Sequence, residues 1–185
     1  MSEKFSELTQ SHIDFIEKQQ IYFVASAAET GFVNVSPKGM DSLRVINQNK
    51  VTWLNLSGSG NETAAHVLEN DRMTIMFCSF DKTPLILRLY GNAKVFHKEH
   101  SHWDSLAGLF PEYLGARQIF EMDIKLVQTS CGFAVPYYDF IDERPTLLKS
   151  AEKKGVEGLK SYWKEKNTMS LDGKDTGIKG NFKES

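Results

Sequence analysis

The chain has 185 residues, 41% of them hydrophobic and 25% charged, and its 22 Lys and Arg nearly cancel its 24 Asp and Glu for a net charge of -2. That length fits one domain with a helical appendage, and so balanced a charge gives no general field for nucleic acid or an anionic membrane, so any bound anion must be caught by a local site. Cys78 and Cys131 are far apart, and no CxxC or Cys/His spacing exists, which excludes a structural zinc site and a disulfide framework.

In chain order, the first segment reads as a helix. Phe5, Leu8, Ile13, Phe15 and Ile16 give an apolar stripe, with Ser11 and Asp14 placed to cap its second turn. Residues 1–20 lack the apolar stretch of a signal peptide and the apolar runs elsewhere are strand-sized, so a cytoplasmic protein with no membrane span is expected. Short segments rich in β-branched and aromatic residues follow at 21–26, 32–36, 42–46, 51–56, 73–78, 85–90, 92–96 and 121–129. Met73, Ile75 and Phe77 alternate, as do Leu85, Leu87 and Leu89. Such strands, joined by turns too short for crossover helices, predict a barrel rather than a parallel sheet. The exceptions are a helix at 62–70, another near 101–109, and a third after Tyr138, where Pro145 suits a first helical position and Leu159, Tyr162 and Trp163 form an apolar face. From Asn167 the Gly-, Asp- and Lys-rich tail reads as a loose end or an arm laid on a partner.

The most informative stretch is VTWLNLSGSGNETAAHVLEN, residues 51–70. A strand runs into Ser57, Gly58, Ser59, Gly60 and Asn61, and a helix opens at Glu62 or Thr63, with Ser59 and Glu62 spaced as a capping box. A helix start offers unpaired amides and roughly half a positive charge. The glycines let an anion approach the backbone, and Ser57, Ser59 and Thr63 add hydroxyl donors, which together make a phosphate cradle. A capped helix start without a ligand is the alternative. Neither the P-loop pattern nor GxGxxG is present. Lys38, in a turn after Ser36, and Arg44 and Arg88, in strands, are the candidate phosphate cations. An outward-facing Arg88 on a solvated sheet face is the alternative for that residue.

FVNVSPKGMDSLRV, the 51–70 stretch with its following strand, LILRLYGNAKV, and the later QTSCGFAVP resemble the pyridoxamine 5'-phosphate oxidase-like proteins. That resemblance implies a mainly β fold with peripheral helices, a six-stranded Greek-key split β-barrel that binds FMN, spanning 1–140, with 141–185 a helical extension and tail. It further implies a homodimer with FMN at the interface. The activity it implies is an FMN-dependent oxidoreductase acting on an unknown small-molecule substrate, with no catalytic side chain assigned. A non-catalytic flavin-binding or sensing protein, or a related split barrel carrying deazaflavin or haem, remain the alternatives. Ser36, Lys38 and Asn55 are then the ring-side candidates, and Ser57, Gly58, Ser59, Gly60, Asn61 and Thr63 the phosphate-side candidates. Asn61, Glu62 and Thr63 stand where true oxidases carry Ser-Arg-Lys, and no Arg-x-His pattern follows, so pyridoxamine phosphate is not supported as substrate.

The cluster His97, His100 and His102 reads as a solvated strand-to-helix connection rather than a metal site, and Cys78 as a packed small hydrophobe. Cys131 lacks a thiolate-stabilising neighbour in sequence, and no Ser/His/Asp set has motif spacing.

Overall fold

A computed structural model describes residues 2–182. In chain order the elements are β1 (Glu3–Phe5), α1 (Gln10–Glu17), β2 (Tyr22–Ser26), β3 (Asn34–Lys38), β4 (Leu43–Asn47), β5 (Lys50–Leu56), α2 (Glu62–Asn70), β6 (Arg72–Cys78), β7 (Ile86–Phe96), α3 (Trp103–Ala107), β8 (Ala116–Ser130) and α4 (Thr146–Lys166). The strands form one eight-stranded sheet in the order β3-β2-β6-β7-β8-β5-β4, with β1 added to β8. Every pairing is antiparallel. The fold is therefore mainly β with peripheral helices, and the sheet has two strands more than the six that the resemblance implies.

The sheet follows from period-two patterning. Met73, Ile75 and Phe77 on β6 and Leu87 and Leu89 on β7 all turn into one apolar core. Each fully buried side chain of this kind contributes about 1.5–3 kcal/mol relative to exposure. Trp53 and Phe120, opposite each other on β5 and β8, stack with centroids 4.5 Å apart and planes 7° from parallel. The segments at 85–90 and 92–96 are one strand, β7, whose register with β8 shifts between Tyr90 and Gly91. A Cβ at Gly91 would sit 2.1 Å from the Asp123 carbonyl oxygen, so only glycine permits that approach.

Two expected helix starts are corrected. Thr9, not Ser11, caps α1, in a reciprocal capping box with His12. Pro145 occupies the cap position of α4, one residue before the first helical position. α4 itself is broken at Gly155, whose φ of 63° is open to glycine at little cost. The tail is also corrected: it folds back on its own chain, with Asn167, Thr176 and Ile178 buried. Ile178 joins Ala151, Leu159 and Trp163 in a second apolar cluster, which explains why a segment so rich in Gly and Lys is held.

Candidate functional site

β5 ends at Leu56, and the loop from Ser57 to Asn61 leads into α2. The predicted capping box does not form. Asn61 is the cap residue and makes no side-chain capping bond, while a Glu62 carboxylate oxygen accepts from the Leu171 amide at 2.7 Å. The loop carbonyls are instead held from one side by two buried side chains. Arg117 Nη1 donates to the carbonyls of Gly58 (3.4 Å) and Gly60 (3.1 Å). Asn167 Nδ2 donates to those of Gly58 (3.1 Å) and Ser59 (3.3 Å). Asn61 Nδ2 donates in turn to the Asn167 carbonyl at 3.1 Å. Among the described residues, the amides from Gly58 to Thr63 have no hydrogen-bond acceptor, and Gly58, Ser59 and Gly60 are exposed.

Two of the predicted hydroxyls are engaged by protein groups. Ser57 Oγ donates to the Gly115 carbonyl at 2.9 Å and accepts from Trp163 Nε1 at 2.8 Å. Thr63 Oγ1 accepts from Ser26 Oγ and Asn34 Nδ2, which fixes the first turn of α2 against β2 and β3.

The cations separate into two groups. Lys38 is half-buried, with its Nζ 5.3 Å from the Trp53 ring centroid. Burial, and then the charge of Arg117, hold its ammonium down to about 8. Arg117 is 2% exposed, and its burial lowers it to about 10 despite Tyr162 and Glu62 nearby. Its Nε has no hydrogen-bond partner, and neither Lys38 nor Arg117 has an ion-pair partner among the described residues. An isolated buried cation is costly, so Arg117, with the half-buried Lys38 near it, favours an anion close by. Arg44 and Arg88 are placed elsewhere. Arg44 is paired with Asp41, donates Nε to the Leu109 carbonyl at 2.9 Å and lies over Phe110. Arg88 Nη1 donates to Ser130 Oγ at 3.0 Å on the sheet face opposite Leu87 and Leu89.

A groove of about 1110 Å³ reaches from Lys38 to the start of this loop at Ser57 and Gly58. Lys38, Asn55, Ser57 and Gly58 line one side, and Phe80, Tyr138 and Phe140 line another. Asn55 is held by its Nδ2 on Gln118 Oε1 at 3.0 Å, while Gln118 Nε2 is buried without a partner. No protein atom lies within 4 Å of a Cβ built on Gly58, so the loop wall is open there. Ser36 is one alternation back from Lys38 on β3 and bonds Asn34 at 3.4 Å. The volume lies just above the roughly 300–1,000 Å³ of small-molecule sites, and both apolar and polar groups line it.

Arg117, Asn167 and Trp163 are the functional neighbours that the sequence reading does not find. The histidine cluster also departs from expectation. His100 and His102 are exposed, but His97 is 3% exposed with both ring nitrogens unpartnered, and burial pushes its pKa down to about 4. Cys78 is buried, which raises its thiol, and Cys131 is exposed.

Comparison with known proteins places the chain in a family. The pyridoxamine 5'-phosphate oxidase pattern matches residues 8–131. A pyridoxamine 5'-phosphate oxidase family protein of Aspergillus flavus, ustO, is 37% identical over 188 residues, covering 91% of this chain and 75% of that protein. Among solved structures, a putative pyridoxamine 5'-phosphate oxidase of Lactobacillus delbrueckii superposes with a TM-score of 0.54 at 15% identity, over 66% of this chain and 94% of the other. A HupZ variant of Group A Streptococcus gives 0.53 at 18% identity, over 66% and 98%. At such identities these two structures speak to the fold alone. From the matched span and the identity to the fungal protein, this chain belongs to the pyridoxamine 5'-phosphate oxidase family.

Proposed function

We propose that this protein binds FMN and acts as a flavin-dependent oxidoreductase on a small organic substrate. The observation that carries the reading is the junction of a large groove with a loop of unpaired amides and two cations without ion-pair partners among the described residues, the half-buried Lys38 and the buried Arg117. A terminal phosphate fits the amides from Gly58 to Thr63, and a planar ring fits between Asn55 and the Phe80 and Tyr138 wall. Lys38 favours negative charge in the groove, and Asn55 orients what lies there through its fixed amide. When bound, FMN supplies the two-electron redox chemistry, and the protein supplies binding, orientation and electrostatics.

The finer architecture belongs to the same reading. The sheet curls into a split barrel, with Tyr22 Oη 2.9 Å from Ser42 Oγ as one tie between the β2 and β4 regions. Two chains pair in the cytoplasm with a flavin at each interface. Val33, Val35, Phe133, Tyr137 and Ile141 are exposed apolar side chains that support such pairing. No helix among the described residues is long and apolar enough to cross a membrane.

The test is the visible spectrum of the purified protein, followed by titration with FMN and by steady-state oxidation of NADH or NADPH. A flavin spectrum with turnover is expected. Colourless protein that also ignores added FMN overturns the reading. A flavoprotein with no turnover under any donor reduces it to a flavin-binding role.

A further inference from the structure

Arg117 and Asn167 hold the carbonyls of three consecutive residues, Gly58, Ser59 and Gly60, from the same side. The peptide bonds are trans, so each carbonyl points opposite to the amide of the next residue. The amides of Ser59, Gly60 and Asn61 are therefore turned away from Arg117 and Asn167. Arg117 and Asn167, behind the carbonyls, are buried, while Gly58, Ser59 and Gly60 are exposed. Those amides have no acceptor among the described residues. Successive unpaired amides are the raw material of an anion nest.

We propose that the C-terminal arm is a working part of the cofactor site, and that Asn167, with Arg117, is a positioning residue that aims the amides of Ser59, Gly60 and Asn61 at the cofactor phosphate. This rests on the FMN reading and deepens it. Neither side chain touches the phosphate. Both act through the backbone, and the unpaired Arg117 charge adds to the field behind the nest. Asn167 is itself locked in place, because its own carbonyl accepts from Asn61 Nδ2 and from Thr176 Oγ1. The family pattern ends at residue 131, so Asn167 lies outside the matched span. The clamp thus joins Arg117 of the matched sheet to a residue of the arm outside it.

The experiment compares dissociation constants for FMN and riboflavin, which differ only in the phosphate, in the wild-type protein and in Asn167→Ala. That substitution removes the Nδ2 donor but keeps the backbone carbonyl and adds no charge. In parallel, backbone amide resonances of wild-type Ser59, Gly60 and Asn61 are followed as each flavin is added. We expect Asn167→Ala to lose at least tenfold of the FMN preference, with riboflavin affinity changed less than twofold. The three wild-type amides should shift with FMN and not with riboflavin. If the wild-type prefers FMN but a folded Asn167→Ala keeps that preference within twofold, or the amides stay still, the clamp is overturned and the FMN reading survives. If the wild-type binds neither flavin, or binds both equally, the FMN reading falls and takes the clamp with it. Should Asn167→Ala fail to fold, the wild-type amides decide alone.

Discussion

Two strand-to-helix connections in this molecule, one rich in glycine and serine and the other in histidine, treat their backbone groups differently. The first, residues 57–61, leads from β5 into α2, and the second, residues 97–102, leads from β7 into α3. In the first, distant side chains, Arg117 and Asn167, hold the carbonyls, and the amides are left without acceptors. In the second, several backbone groups are satisfied locally, and the Lys98 amide donates to Asn181 Oδ1 at 2.9 Å. The His97 amide donates to His100 Nδ1 at 3.2 Å, the His100 amide to the His97 carbonyl at 3.0 Å, and the Trp103 amide to the His100 carbonyl at 2.9 Å. Unpaired amides at a helix start are what an anion site requires, and only the first connection keeps a run of them. The histidines, the more eye-catching residues, sit on the connection with less to offer a ligand.

That contrast breaks most directly at Arg117. Arg117→Met removes both the carbonyl clamp and the buried charge, and FMN affinity should fall at least 100-fold, about 3 kcal/mol. Riboflavin binding, measured by fluorescence quenching, should change only a few-fold. An equal loss for both flavins would mean that Arg117 supports the fold rather than the phosphate.

The other connection makes a stability prediction. His97 is neutral when folded and has a pKa of about 4 against an ordinary 6.5, with His100, Glu99 and Arg117 as its charged neighbours. Between those values the unfolded chain binds a proton that the folded chain does not, so stability falls as pH drops from 6.5 to 4, by up to about 3 kcal/mol. Urea unfolding of His97→Gln should show a flatter slope over that window, and an unchanged slope would place the acid sensitivity elsewhere.

Lys38 sharpens the first connection through pH. An anion in the groove favours the charged ammonium, so binding above about pH 8 must take up a proton and affinity should weaken there. Lys38→Met should weaken FMN roughly 30-fold at pH 7, about 2 kcal/mol, and abolish that decline between pH 7 and 9. A decline that survives in the variant would remove Lys38 from the site. A smaller effect is expected at Gly58. An added methyl meets no protein atom within 4 Å but enters the groove wall, so Gly58→Ala should keep its melting temperature and lose roughly fivefold in FMN affinity. Arg44→Ala and Arg88→Ala should change FMN affinity less than twofold, since both guanidiniums are engaged outside the groove.

The sheet was legible because its buried residues alternate, as on β6, where Met73, Ile75 and Phe77 alternate with Thr74 and Met76. The start of β8 was not. Arg117, Gln118, Ile119 and Phe120 are all buried, because this stretch is covered on both faces, so no period-two signal marks it and Arg117 falls in an apparent loop. The glycine loop was legible as a candidate phosphate site from local chemistry alone. Its carbonyl clamp was not, since Asn167 stands more than 100 positions away in a tail whose composition reads as unstructured. The hydroxyl of Ser57 shows the same limit: sequence reveals a donor, and only packing reveals that Trp163 and Gly115 already use it.

The phosphorus resonance of FMN in the presence of the protein tests the central claim most directly. A phosphate held by the nest and two nearby cations should stay dianionic well below its ordinary second pKa of about 6, so the bound resonance should be shifted and should not titrate between pH 7 and 5.5. A bound flavin whose phosphorus signal titrates like that of free FMN would contradict the account.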